Sequence, residues 1–265
     1  MYMRKSLIFI FKITLSISVG IILFSCKGID IAKTGTVEEI YNEGMRLYEE
    51  EDYLEAKKLF DIIKLQHPAS KYAEYSQFFM AEINFKQNEY IIAAFNYNTL
   101  RRIYPTSKFA KVAMYKAAEC YYKKSPEYDR DQEYIKKSLQ AFQEFQYVYA
   151  TDSLYDEASK YIEELRENLA NKEFFTAELY IKLGSPRSSL LYYDEVLNNY
   201  SDTKFFEPAY FGKIKTLKLV RKYDAALGLI DIYLKKFTSN KNAGEIRMLK
   251  SELLILKADS ENAEK

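Results

Sequence analysis

The chain contains copies of itself. The stretch "EDYLEAKKLFDIIKLQHPASKYA" (51–73) aligns without a gap with "NEYIIAAFNYNTLRRIYPTSKFA" (88–110). Tyr53 matches Tyr90, Ala56 matches Ala93 and Phe60 matches Tyr97. His67-Pro68 matches Tyr104-Pro105, and Ser70 to Ala73 matches Ser107 to Ala110. Weaker copies end at "VYATDSLYDEA" (148–158), "NNYSDTKFFEPA" (198–209) and "KKFTSNKNA" (235–243). The markers His67, Tyr104, Tyr149, Tyr200 and Phe237 are spaced by 37, 45, 51 and 37 residues. A unit this short cannot bury its own apolar face, so the copies must stack on one another.

The pattern inside each copy is helical. Val37, Ile40, Tyr41, Gly44, Leu47 and Tyr48 form one stripe at a period of about 3.6 residues. Thr36 with Glu39 makes a capping box at its start. Ala56, Phe60 and Ile63 make the seam of the next helix, where the small Ala lets a neighbour approach closely. His67-Pro68 stops that helix, because a residue before Pro avoids the helical region. Ile135, Leu139, Phe142, Phe145 and Tyr149 repeat the seam further on. With only 8 Gly and 5 Pro, the chain lacks the turn residues of an all-β fold. The shortest spacing lies close to the ~34 residues of a tetratricopeptide repeat, and the longer ones imply inserts. The expected fold is all-α, a superhelical solenoid of five tetratricopeptide-like helix pairs over 36–256. Its N-terminal half is 36–122, its C-terminal half 133–256, and 257–265 is a flexible tail. The 25 Tyr and 17 Phe fall mostly on the seams and read as core, with a few left to line a partner-binding face.

Two irregularities interrupt the array. "KKSPEYDRDQEY" (123–134) reads as an exposed charged loop inside the third pair. The stretch 153–183 has no Pro or Gly and reads as one helix about 46 Å long at 1.5 Å per residue. A Ser153/Asp156 pair is expected to cap its start, and Gly184 to end it. Ser185-Pro186 then opens the next helix as N-cap and first residue. Pro208 holds the start of the following one near Phe206.

Residues 1–25 read as an export signal, with Arg4 and Lys5 before the mostly apolar Leu7–Phe24. A membrane anchor is the competing reading. Lys12 interrupts the stretch and favours the signal, and translation could start at Met1 or Met3. Leu23-Phe24-Ser25-Cys26 looks like a lipobox: an apolar residue, a small one, then the thiol that takes a diacylglycerol by thioether. Cys26 is therefore the lipidation candidate, followed by a lipidated linker (26–35). Several acyl chains, at roughly 0.8 kcal/mol per buried CH₂, anchor stably to a membrane. Cleavage before Cys26 removes Arg4, Lys5 and Lys12 and takes the formal charge from +1 to −2, which argues against nucleic acid as a partner. Cys120 in "KAAECYYKK" reads as a small buried helix residue. The one histidine, His67, offers no two-His metal site. No phosphate loop or nucleophile elbow appears, so neither a cofactor nor an enzymatic role is expected.

The lipobox, the "YPTSKFA" type repeat ends, the insert "SPEYDRDQ" with "AFQEFQ" after it, and "LANKEFFTAELYIKLG" together resemble the BamD family. These are tetratricopeptide lipoproteins of the outer-membrane β-barrel assembly machinery, and the resemblance spans about 36–238. It implies a scaffold on the periplasmic face of the outer membrane, held there by N-terminal acyl chains. Its implied partners are the POTRA-bearing barrel subunit, nascent outer-membrane proteins and possible accessory lipoproteins. By position, residues near 41–110 form the receiving groove, with Tyr41, Tyr48, Tyr75 and Phe79 as candidates. Residues 185–238 form the docking face. The Arg that docks POTRA domains in well-known members falls at Tyr192, with Arg187 a turn or more away, and both are candidates there. The runner-up function is a periplasmic tetratricopeptide adaptor lipoprotein for cell-wall or secretion machinery.

Overall fold

The structure, a computed structural model, describes residues 34–126, 131–238 and 242–263. Every regular element among them is an α-helix. In chain order they are α1 (Val37–Glu49), α2 (Tyr53–Gln66), α3 (Lys71–Lys86), α4 (Tyr90–Ile103), α5 (Ala110–Lys124), α6 (Glu133–Val148), α7 (Tyr155–Lys182), α8 (Pro186–Asn199), α9 (Phe206–Leu219), α10 (Tyr223–Lys236) and α11 (Ala243–Ala263). They form two compact units that divide between Lys123 and Lys124. The export signal, Cys26, most of the linker and the middle of the 123–134 insert lie outside the described residues.

Several boundaries follow from the chemistry of single residues. At the start of α1 the Thr36 side chain accepts from the Glu39 backbone N–H, and Glu39 returns to the Thr36 N–H at 2.8 Å. Helix α2 stops at Gln66, before His67-Pro68. Helix α8 has Ser185 as N-cap and Pro186 at its first position, and α9 starts at Phe206. The long helix is real, and α7 runs 28 residues. Its expected cap is not. Leu154 is the N-cap and has no side-chain bond, while Asp152 Oδ1 accepts from the Leu154 N–H at 3.0 Å. The chain turns one residue too late for Ser153 to reach the helix. The 257–265 segment, expected as a tail, is helical as far as Ala263, and Lys257 Nζ pairs there with Asp224.

Four turns set the register. Glu51, Asn88, Gly184 and Arg221 each adopt a left-handed backbone, with φ of 61°, 60°, 72° and 59°. In each, the next N–H reaches back to close the preceding helix: Asp52 to Leu47, Glu89 to Asn84, Ser185 to Tyr180 and Lys222 to Leu217. This is the Schellman closure, which satisfies carbonyls that a helix end leaves orphaned. Counted from each turn residue, the ninth position onward is Phe60, Tyr97, Tyr193 and Ile230, all at most 1% exposed. The sixth position back is Met45, Glu82, Glu178 and Lys215. Where the ninth residue is Tyr, its hydroxyl donates to a carboxylate at the sixth: Tyr97 to Glu82 and Tyr193 to Glu178. Burial then pushes both hydroxyls well above the usual tyrosine range. Where the ninth residue is Phe60, the sixth is the apolar Met45.

In the first unit, Ile40, Leu47, Ala56, Leu59, Phe60, Ile63, Ala73 and Ile83 make one cluster, and Phe78, Ala81, Ala93, Tyr97, Leu100 and Cys120 belong to the next. Gly44 is forced by this packing, because a Cβ there would meet Phe60 Cε1 at 2.8 Å. In the second unit, Tyr193, Val196, Ala177 and Ala209 form one cluster, and Ile214, Ala226, Ile230, Tyr233, Ile246 and Leu253 belong to another. Arg166 locks α7 to the turn after α8: its Nε lies 2.6 Å from Asp202 Oδ2 and its Nη2 2.6 Å from the Asn199 carbonyl.

The turn residues give a stability test. Gly184 has open space around a would-be Cβ, so Gly184→Ala costs only the left-handed backbone penalty, about 1 kcal/mol. Glu51→Gly relieves the same penalty and stabilises by about 0.5 kcal/mol once the freer unfolded chain is counted. Urea unfolding followed by circular dichroism should give these opposite signs, and equal signs would show that the turns are not strained.

Candidate functional site

The four candidates Tyr41, Tyr48, Tyr75 and Phe79 come together on one face of the first unit. Tyr41 and Tyr48 stand two turns apart on α1, and Tyr75 and Phe79 one turn apart on α3, so each pair shares a helix side. The ring of Tyr41 lies 5.9 Å from Tyr75 and 6.5 Å from Phe79. Tyr48 meets Phe79 edge-on at 5.2 Å. Phe79 also stacks on the buried Phe60 at 6.1 Å, so the face is rooted in the core. All four are half-buried. Each ring is part core and part surface.

Sequence reasoning missed the rest of this face. Tyr72 lies 5.0 Å from Tyr41, and Phe109, just before α5, meets Tyr75 edge-on at 5.3 Å. Three lysines cover these rings. Lys108 Nζ sits 4.3 Å from the Tyr75 centroid and 4.9 Å from that of Phe109, Lys71 lies 4.9 Å from Tyr72, and Lys86 lies 5.1 Å from Tyr48. Most lysines with a partner elsewhere in the described residues face carboxylates, as in Lys57–Glu89 or Lys213–Asp194. These three face aromatic rings instead, which leaves their charge available to a partner. The signal was present in the repeat ends "SKYA" and "SKFA", which supply Lys71-Tyr72 and Lys108-Phe109. Those residues mark the period so strongly that they hide their place on a surface.

The electrostatics suit binding. Burial, helped by the Tyr75 and Tyr72 hydroxyls, pushes Tyr41 up to about 12. Burial also raises Tyr48. Tyr48 and Tyr53 in turn hold the Lys86 ammonium in its charged form. At neutral pH Tyr41 and Tyr48 are therefore uncharged, with lysine ammonium groups lying over Tyr48 and the neighbouring rings. No group of three or more His, Cys, Asp or Glu among the described residues could hold a metal. Cys120 is buried, and burial pushes its thiol up to about 12, so it is a poor nucleophile at neutral pH.

The second unit treats its two candidates differently. Arg187 is exposed at the second position of α8. Tyr192 is half-buried and stacks on Tyr180 of α7 at 5.2 Å, its rings inclined by 14°. Beside that stack, burial and Glu195 raise the carboxyl of Glu173. Five residues apart on a helix, Arg187 and Tyr192 point in different directions, so the structure does not bring them together. Tyr192 is held against Tyr180 of the preceding helix.

Helix pairs closed by repeated turns, with an open ring-lined face, define a tetratricopeptide-like repeat protein. No helix among the described residues is long and apolar enough to cross a membrane. The family model YfiO, described as outer membrane lipoprotein, matches residues 33–225, and the chain belongs to that family. Among relatives, the outer membrane protein assembly factor BamD of Rickettsia prowazekii (strain Madrid E) is 23% identical over 223 residues, covering 83% of this chain and 86% of its own. The protein of the same name from Neisseria meningitidis serogroup B is 24% identical over 213 residues, covering 74% and 80%. Among solved structures, a thermophilic tetratricopeptide protein of Thermus thermophilus is similar at 15% identity with a TM-score of 0.35, covering 83% of this chain and all of that one.

The two kinds of residue on the ring face separate by stability. Phe79→Ala removes a ring stacked on the core and should cost about 3 kcal/mol. Lys71→Glu with Lys108→Glu removes only contacts to rings, each worth roughly 0.5 kcal/mol at the surface. Urea denaturation of the three chains reads this out, and a larger loss for the double charge reversal would make the lysines structural.

Proposed function

We propose that this chain is an outer-membrane protein assembly factor, a scaffold that binds a POTRA-bearing barrel subunit and helps receive nascent outer-membrane proteins. Membership of the YfiO family over residues 33–225 is the observation that carries the reading, and the assembly-factor names of the relatives support it. The ring and lysine face suits the receiving role. An unfolded barrel strand carries alternate aromatic side chains, and half-buried rings with lysines lying over them accept such a segment without a rigid pocket. The second unit, around 185–238, is the docking face for the barrel subunit. There the exposed Arg187 and the half-buried Tyr192, stacked on Tyr180, are the residues this reading assigns to the contact. Acylation at Cys26 holds the scaffold at the periplasmic face of the outer membrane, and accessory lipoproteins join it there.

The test is capture of the full chain from gently solubilised envelopes. A stoichiometric outer-membrane barrel with periplasmic POTRA domains is the expected companion, together with acyl label that disappears in Cys26→Ala. Tyr75→Ala should leave that barrel bound and reduce crosslinking to nascent outer-membrane proteins several-fold. Capture of cell-wall or secretion factors alone, without such a barrel, would replace this reading with the adaptor one.

A further inference from the structure

The second unit has an open groove at a register where the first unit carries an aromatic ring. In the first unit, Phe79 stands nine residues before the turn residue Asn88 and stacks on Phe60. The same register in the second unit, nine before Arg221, is Gly212. Its neighbour is Tyr193, the counterpart of Phe60. A Cβ on Gly212 would meet Tyr193 Cζ at 2.5 Å, so no side chain fits there. Where a ring is lost, the helix surface opens into a cavity of about 970 Å³ along α7, α9 and α11. Ile181, Tyr193, Leu219, Met248 and Leu249 belong to its apolar lining, and Leu219 and Met248 are 61% and 70% exposed. Such a volume lies at the upper end of the range for ligand pockets.

The polar groups of the groove are nearly all engaged. Lys215 pairs with Glu245 at 3.0 Å and Lys218 with Glu252 at 2.5 Å. Glu178 accepts the Tyr193 hydroxyl, and Thr216 donates to the Gly212 carbonyl at 2.8 Å. Arg221 and Tyr223 remain, their side chains with no hydrogen bond or ion pair among the described residues. Arg221 also lines a smaller adjoining pocket of about 490 Å³ together with the exposed Arg187. The groove therefore combines an apolar lining with two ion pairs between α9 and α11 and one unpaired cation, Arg221.

These features select the occupant. The three helical walls use their backbone groups internally, and the lining side chains are committed to each other. An extended strand would find few hydrogen-bond partners, whereas a helix brings its own. We propose that this groove docks a short amphipathic helix of a partner protein. The apolar stripe of that helix covers Gly212, Leu219 and Met248, and its acidic end meets Arg221. Met248 suits this role because an unbranched thioether side chain adapts to the shape laid against it. The site is separate from the ring face of the first unit and does not depend on it.

The test uses the full chain and a fluorescent amphipathic helical peptide, with leucines at i, i+3, i+4 and i+7 and two glutamates at one end. Anisotropy should show saturable binding. Met248→Lys and Arg221→Glu should each weaken it by about tenfold, equivalent to ~1.4 kcal/mol. A peptide with lysines in place of the glutamates should recover binding to the Arg221→Glu chain. Both altered residues are exposed, and Glu51 already occupies the same left-handed register as Arg221, so circular dichroism should be unchanged. Leu65→Lys, at an exposed residue of the other unit, should leave binding intact. Absent or unsaturable binding would overturn the proposal, as would binding indifferent to both substitutions. Self-association abolished by Met248→Lys in sedimentation would also overturn it, by assigning the groove to a second copy of the chain.

Discussion

The fold depends on one backbone conformation used four times among the described residues. A single left-handed residue closes each of four helices and aims the next. Because the closure consumes a fixed number of residues, it dictates what comes after it. The ninth residue onward always lands in the interior, whether it is Phe60, Tyr97, Tyr193 or Ile230. Change the turn by one residue and the helix rotates by about 100°, which takes the buried ring out of the core. The hydrophobic seams, the small residues beneath them and the ring face are all consequences of that register.

Only one of the four turn residues is a glycine. Such a position costs a side-chain residue about 1 kcal/mol or more, and Glu51, Asn88 and Arg221 bear it because the closing hydrogen bonds and the packing of both helices over-determine the turn. For the same reason these turns were invisible in the sequence. Without Gly as a marker, nothing in "EEEDY" announces a left-handed residue, and in "KQNEY" only Asn88, a residue type that tolerates this region, hints at one. Gly184 alone was legible, as the end of the long helix.

Elsewhere legibility followed whether the signal was local. The capping box at Thr36, the stop at His67-Pro68 and the starts at Pro186 and Phe206 each rest on one or two neighbouring residues, and each lies where the sequence places it. The cap of α7 failed because two residues matched a motif that the turn geometry did not use. The tail was misjudged because its polar composition concealed Lys257 and the carboxylate it meets on another helix, far away in sequence. Of the face in the first unit, the rings on the helix stripes could be read, while the lysines above them could not. The lysines gain their meaning from rings on a neighbouring helix. In the second unit, Tyr192 shows the limit of carrying a position across by register alone, since its neighbour Tyr180 decides where it points.

The buried hydroxyl–carboxylate pairs constrain how a chain like this can drift. Tyr97 with Glu82, and Tyr193 with Glu178, are each one unit of exchange, and the first pair carries Phe60 with Met45 in the same two places. Losing the carboxylate first strands the buried hydroxyl, at about 1–3 kcal/mol, which a marginally stable domain bears poorly. Losing the hydroxyl first leaves a carboxylate that is only partly buried and still meets water. Ile230 with Lys215 shows the same two places holding an apolar residue and an exposed charge. Divergence in these repeats should therefore follow an order, the ring giving up its hydroxyl before its partner fifteen residues away changes.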